Sequence, residues 1–141
     1  MHAIDQRLKS GSHKILDLDL SEVRLKDNQY FPWVILIPKT PTLITEIFEL
    51  DKNSQQKLYS EINRVSQAME AYFRPDKLNI GALGNIVPQL HIHIIARFKT
   101  DLAWPHSLWQ ENIPAKKYDA ETLKSNTENL CKLITAKTNL F

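Results

Sequence analysis

Three side chains able to take part in catalysis lie two residues apart near the middle of the sequence: Gln89, His91 and His93. Alternate side chains of an extended strand point to the same face, so these three are expected to share one. The residues that alternate with them are apolar and are expected to enter the core: Leu90, Ile92 and Ile94. The pattern predicts an amphipathic strand whose polar face carries two imidazoles.

A strand face with two histidines permits three interpretations. Paired imidazoles are common zinc ligands, but a zinc site needs further ligands, and the sequence has no cysteine pair and no HExxH motif. A neutral imidazole can instead attack phosphorus or a carbonyl carbon as a nucleophile. Both histidines could also be polar groups on a solvated strand. The residue types alone leave all three interpretations open.

The strand patterns around this motif occur in groups joined by short turns. Residues 14–26 contain two short alternating patterns, and residues 33–37 are apolar on both faces, which is typical of a central strand. A short strand is predicted at 78–80 and a second strong strand at 90–98. This order favours an α+β fold with a mainly antiparallel sheet over alternating βαβ units.

Two helices complete the predicted domain. Between residues 51 and 73 apolar residues recur at steps of three and four, with Asp51 as N-cap and Pro75 after the end. A second helix is predicted from about Asp119. We therefore expect one domain over residues 1–141, with a core at about 14–110 and a C-terminal helical extension at about 119–136.

Composition limits the function classes. The net charge is +2, from 18 basic and 16 acidic residues, which gives no bulk attraction to nucleic acid. The single cysteine, Cys131, has no internal partner and is typical of a reducing compartment. The first eight residues lack the apolar core of a signal peptide, and no apolar run is long enough to span a membrane. We expect a cytoplasmic protein that binds neither nucleic acid nor membrane.

The residues around the two histidines resemble the histidine triad (HIT) family. The matching residues are Asn79, the pair Gly84-Asn85 and the alternating run 89–95. The likeness to a subgroup of bacterial HIT proteins extends over 83–97, 101–105 and the apolar stretch 31–38, and so covers most of 14–110. It implies a HIT-like α+β fold with a mainly antiparallel sheet of about five strands, one long central helix, a C-terminal helix and a homodimer.

The resemblance also implies a reaction. Gln89 occupies the position of the first triad histidine, which places the family nucleophile at His91 and the third member at His93. The implied chemistry cleaves a nucleoside phosphoanhydride or phosphoramidate at the α-phosphorus through a nucleotidyl-histidine. Dinucleoside polyphosphates and adenosine phosphoramidates are the leading substrates. The family fixes the second ring nitrogen of its nucleophile with a backbone carbonyl. A glutamine can orient a leaving group but cannot act as a titrating acid.

The binding residues follow from the same resemblance. His93, Asn85 and Asn79 are expected to hold the phosphate oxygens. Asp27 or Asn28 is expected to bind the ribose, although this pair is equally compatible with a plain turn. The expected ligand is a purine nucleotide. No cofactor and no protein metal site are expected, and any divalent metal would arrive with the substrate phosphates.

Several roles stay open at this point. The replacement of the first triad histidine by Gln89 is also compatible with a nucleotide-binding protein that has little or no turnover. His91 and His93 could instead belong to a metal-dependent site. Arg97 is an even step from His93 and could contact phosphate or form a surface ion pair. Trp109 could reach a nucleotide base or a dimer interface.

Overall fold

A computed structural model describes residues 1–136. The chain forms, in order, α1 (Gln6–Ser10), β1 (Ser12–Asp17), β2 (Ser21–Lys26), β3 (Trp33–Pro38), a short 3-10 helix (Ile47–Glu49), α2 (Lys52–Phe73), β4 (Lys77–Gly81), β5 (Ile92–Arg97) and α3 (Ala120–Thr135). The strands build one antiparallel sheet in the order β1-β2-β3-β5-β4. The predicted α+β fold, with its long helix and C-terminal helix, is confirmed.

Strand β3 lies in the centre of the sheet, as its two apolar faces predicted. Every residue of the strand is buried. Val34 and Leu36 enter the larger core, which lies beneath the helices. Trp33, Ile35 and Ile37 enter a smaller core on the opposite face of the sheet. Because β5 pairs directly with β3, the histidine strand is held near the middle of the sheet.

The two long helices cover one face of the sheet. Asp51 caps α2 by accepting a hydrogen bond from the Ser54 N–H, and Asp119 caps α3 through the N–H of Thr122, both as predicted. Leu130 of α3 is fully buried in the same core as the strands and α2, so the C-terminal helix packs onto the domain. No helix within residues 1–136 is long and apolar enough to span a membrane. Residues 137–141 of the predicted domain lie outside the described part of the chain.

One local expectation was wrong, and one element was not predicted. Strand β5 begins at Ile92 rather than Leu90, because the Leu90 N–H donates to the Ile44 carbonyl at 2.8 Å instead of joining the ladder. The short helix α1 was not predicted, since five residues are too few to show a helical period. Its N-cap is Asp5, whose side chain accepts a hydrogen bond from the Arg7 N–H.

Candidate active site

His91 and His93 come together at the start of β5. Their ring centroids are 4.8 Å apart in an edge-to-face arrangement. The rings lie on the opposite face of the sheet from Ile92 and Ile94, which are buried in the helix-covered core. Both histidines are themselves buried, with 6% and 8% of their surface exposed. At this level of burial, the hydrogen bonds of each ring decide its tautomer.

A backbone carbonyl sets the tautomer of His91. Its Nδ1 lies 2.7 Å from the carbonyl oxygen of Gln89. A carbonyl can only accept, so Nδ1 must carry the proton. In the neutral ring Nε2 then holds the free lone pair, which is the form that a nucleophile requires. This contact matches the arrangement that the family resemblance implies.

Trp33 sets the opposite tautomer in His93. The indole Nε1 donates to His93 Nδ1 at 2.9 Å, and an indole N–H can only donate. The proton of neutral His93 is therefore on Nε2, which becomes a hydrogen-bond donor. Burial, followed by the charges of His91 and Lys26, lowers the pKa of His93 to about 3. His93 consequently stays neutral at physiological pH.

His91 lies where two cavities meet. The cavity on the Gln89 side has a volume of about 380 Å³, and its lining includes Thr45, Glu46, Phe48 and Gln89. The cavity on the His93 side has a volume of about 480 Å³, and its lining includes Lys26, Trp33, Asn85, Trp109 and Glu111. A ligand group over His91 can therefore extend in two directions.

Lys26 is a cavity cation that the sequence analysis missed. Its Nζ lies 3.9 Å from the centroid of the Trp33 ring, within cation–π range. Burial lowers the pKa of Lys26, and its charge in turn helps to depress the pKa of His93. No pattern in the sequence indicated this contact, because it depends on the register in which β2 pairs with β3.

The Gly84-Asn85 pair brings Asn85 to the site. Gly84 has a φ of 69°, and a Cβ there would lie 3.3 Å from the Val87 carbonyl oxygen. The left-handed turn therefore needs glycine. Asn85, predicted to bind phosphate, lines the cavity on the His93 side together with both histidines.

Arg97 has a different role from the two that were considered for it, and it is hydrogen-bonded to Asn79. The Arg97 guanidinium forms a two-point ion pair with Asp101, at 2.9 and 3.1 Å, and donates to Asn79 Oδ1 at 2.9 Å. Arg97 is only 1% exposed, so it is neither a phosphate contact nor a surface ion pair. Asn79 is not among the described residues that line the two cavities, and its phosphate-binding role stays a prediction.

Asp27 and Asn28 form hydrogen bonds with residues 114–118, the segment that leads to α3. The Asp27 carboxylate accepts from the Tyr118 N–H at 2.8 Å and contacts His13 Nε2 at 3.2 Å. Asn28 donates to the Pro114 carbonyl at 3.1 Å, and its oxygen accepts from two backbone N–H groups. These contacts favour the turn interpretation. The ribose-binding role of this pair stays a prediction, since neither residue is among those described as lining the cavities.

The Gln89 side chain is hydrogen-bonded to the N-terminal segment. Its Oε1 accepts a hydrogen bond from the backbone N–H of Asp5 at 2.8 Å, and the residue is 5% exposed. Asp5 is 84 positions away in the sequence, so no local pattern could have indicated the contact. The N-terminal segment therefore belongs to the site, which the sequence analysis did not foresee.

Few of the described side chains near the two histidines could serve as metal ligands. Within residues 1–136 no three His, Cys, Asp or Glu side chains form a group able to hold a metal ion. The Nδ1 atoms of the two imidazoles are already engaged by a carbonyl and an indole. The expectation of no cofactor stays a prediction.

The fold and the paired histidines define an α+β protein whose functional groups lie at the start of a strand next to the central strand of an antiparallel sheet. The HIT domain family model matches residues 7–100. This is more than half of the chain, and the protein belongs to the histidine triad family. The fold is thus that of a nucleotide-binding and hydrolase family.

Solved structures of bacterial histidine triad proteins resemble the chain over nearly its whole length. A protein from Bradyrhizobium japonicum shows 41% identity and a TM-score of 0.90, with 94% of this chain and 97% of that chain covered. One from Marinobacter aquaeolei VT8 shows 38% identity, a TM-score of 0.89 and coverage of 95% and 96%. One from Sinorhizobium meliloti 1021 shows 35% identity, a TM-score of 0.87 and coverage of 92% and 95%. The comparison with curated proteins gave no match.

Proposed function

We propose that this protein cleaves a nucleoside phosphoanhydride or phosphoramidate at the α-phosphorus through a nucleotidyl-histidine on His91. The observation that carries the proposal is the opposite tautomers of the two imidazoles. His91 presents a lone pair on Nε2, and His93 presents an N–H on Nε2. The centroids of the two rings are 4.8 Å apart. A nucleophile beside a neutral donor is what attack on an anionic phosphorus requires.

In the first step His91 Nε2 attacks the α-phosphorus. A P–N bond forms, the bond to the leaving group breaks, and its electron pair departs with the leaving group. An amine leaving group takes up its proton from solvent. The developing positive charge on His91 strengthens the hydrogen bond from Nδ1 to the Gln89 carbonyl. The non-bridging oxygens receive hydrogen bonds from His93 Nε2 and from Asn85, which line the same cavity.

In the second step water attacks the phosphorus of the nucleotidyl-histidine. A P–O bond forms, the P–N bond breaks, and His91 recovers its lone pair. The proton of the attacking water passes to solvent, and a nucleoside monophosphate is released. His93 stays neutral and keeps its donor in place through both steps, because its pKa is about 3.

The nucleotide is assigned to the cavity on the His93 side. Trp33 and Trp109 line it, and aromatic rings offer a large apolar surface to a purine base. Lys26 in the same cavity favours an anionic ligand, since its ammonium group is partly desolvated. The leaving group is assigned to the cavity on the Gln89 side, where Gln89 can donate a hydrogen bond but cannot transfer a proton.

The test is an intact-protein mass spectrum after acid-free quenching with an adenylyl phosphoramidate or a dinucleoside polyphosphate. We expect a nucleotidyl-sized adduct that maps to His91 and a loss of turnover of about 10,000-fold or more in His91→Ala. His106→Ala is the matched control, because this exposed histidine lies outside both cavities among the described residues. An adduct on another residue, or full turnover by His91→Ala, would refute the nucleophile.

A nucleotide-binding protein without turnover is the second candidate. It is favoured by Gln89 at the first triad position, where no titrating proton donor is present. Bound nucleotide with neither adduct nor product in the wild type would support it. Gain of turnover in Gln89→His would then locate the missing function in that position. By resemblance we also propose a homodimer, which the solution mass measured by analytical ultracentrifugation would test.

A further inference from the structure

The N-terminal segment, residues 4–8, is packed against the site by several independent contacts. Leu8 is 7% exposed and joins the core cluster that contains Trp33 and Val87. Arg7 donates from Nη1 to the carbonyl of Ile86 at 3.1 Å. Leu8 also lines the cavity on the His93 side. The segment is therefore fixed directly after the residue whose N–H meets Gln89.

Local contacts within the segment hold Asp5 in place. Its carboxylate accepts from the Arg7 backbone N–H at 2.8 Å and from two guanidinium nitrogens at 3.0 and 2.9 Å. These hydrogen bonds from Arg7 lower the pKa of Asp5 to about 2. The carboxylate is engaged with Arg7, and the backbone N–H is directed to Gln89.

The Asp5 N–H decides which way the Gln89 carboxamide faces. A peptide N–H can only donate, so the group it meets at 2.8 Å must be the oxygen of the amide. A glutamine amide is otherwise free to rotate its oxygen and nitrogen by half a turn. With Oε1 engaged, the amide presents Nε2, which carries two N–H donors, to a ligand in the cavity shared with His91.

We propose that the Asp5 backbone N–H is a positioning group that fixes Gln89 as a hydrogen-bond donor to the leaving group. The opposite orientation would place the amide oxygen against an oxygen of the leaving group that gains negative charge. Two acceptors then face each other, and the transition state loses a hydrogen bond. This inference rests on the proposed function, since it assigns Gln89 to the departing group of that reaction.

The variant Asp5→Pro tests the contribution of the Asp5 backbone N–H. The φ of Asp5 is −54°, which proline adopts without strain. Asp5→Pro removes both the side chain and the N–H, whereas the matched variant Asp5→Ala removes only the side chain. We expect kcat of Asp5→Pro to be about fivefold to tenfold below that of Asp5→Ala, with KM unchanged, because the lost contact acts in the transition state.

The same pair of variants in a Gln89→Ala background separates positioning from general damage. Without the carboxamide, Asp5→Pro and Asp5→Ala should have equal kcat. A kcat difference that persists in this background would overturn the proposal, as would equal kcat of the two variants with Gln89 intact. Melting temperatures of all variants identify any that fail to fold.

A readout without turnover keeps this inference separate from the proposed function. We expect the Asp5 amide to exchange slowly with deuterium in the wild type and faster in Gln89→Ala. The probe is an uncleaved substrate analogue of the adenosine 5'-phosphonoacetate type. Its addition should shift the NMR resonances of the Gln89 Nε2 protons in Asp5→Ala but not in Asp5→Pro. Equal shifts in the two variants would overturn the positioning role. If the wild type forms no product, that result counts only against the proposed function.

Discussion

The two faces of the sheet use the same strands but are covered in different ways. On the helix face, Leu36 and Ile94 meet Val65 and Leu130, and none of these side chains is exposed to solvent. On the site face, apolar residues such as Ile95 alternate with buried polar groups, and short segments rather than long helices lie against them. One face is a mainly apolar layer beneath the helices, and the other combines a small core with hydrogen-bonded side chains.

The difference shows where stability and chemistry are located. Apolar burial on the helix face stabilises without directional demands. Each buried polar group on the site face costs free energy unless it has a partner. Arg97 has Asp101, and His93 has Trp33. Those partners also set the orientation and protonation of the site, so the polar face is where a substitution can alter function and stability separately.

Arg97→Met is expected to have the largest effect on folding. It leaves the Asp101 carboxylate buried without its cation, which typically costs about 3–5 kcal/mol. Urea unfolding would measure the free energy of unfolding. The control is Lys14→Met, because the half-exposed Lys14–Asp17 pair should contribute less than about 1 kcal/mol. If both variants lost a similar free energy of unfolding, the buried ion pair would contribute no more than the surface pair, and the prediction would be wrong.

Leu130→Ala tests the helix face. It removes a fully buried side chain from the core beneath α3 and should cost about 2–5 kcal/mol, while kcat well below the melting temperature stays unchanged. Lys132→Ala on the same helix is the control, since Lys132 is exposed. A fall in kcat for Leu130→Ala would show that the two faces are coupled.

Acid should destabilise the protein through His93. Its pKa is about 3 when folded, below the ordinary value of 6.5, so the unfolded chain binds a proton first as the pH falls. The stabilising contribution is complete above pH 6.5 and is lost progressively toward pH 3. Between pH 7 and pH 5 the loss is about 2 kcal/mol. The difference in unfolding free energy between wild type and His93→Gln, followed over this range, measures it. A constant difference would contradict the prediction.

Trp33→Phe gives the smallest expected change and acts on one hydrogen bond. The ring volume is largely kept, but His93 Nδ1 loses its donor, so its tautomer is no longer fixed. We expect turnover to fall about tenfold and the pKa of His93, measured by NMR titration, to rise. Trp104→Phe serves as the control, because Trp104 is not among the described residues that line the cavities. An unchanged tautomer in Trp33→Phe would mean that the indole is only a packing group.

The elements that were predicted well are those with a local period. Helix α2 followed from its apolar stripe and from Asp51, and the central position of β3 followed from two apolar faces. The pairing of His91 with His93 followed from strand alternation. The five-residue α1 was missed because it is too short to show a period, and the delayed start of β5 was missed because it depends on a single contact.

The sequence by itself determined the fold class, the two long helices and the common face of the two imidazoles at the start of β5, because periodicity and capping are properties of neighbouring residues. The tertiary structure decided which atom of each site residue faces the ligand. Trp33 acts on His93 across 60 positions, and Asp5 acts on Gln89 across 84. A hydrogen bond between distant residues sets tautomer and amide orientation only once the chain has folded, and no local pattern encodes it.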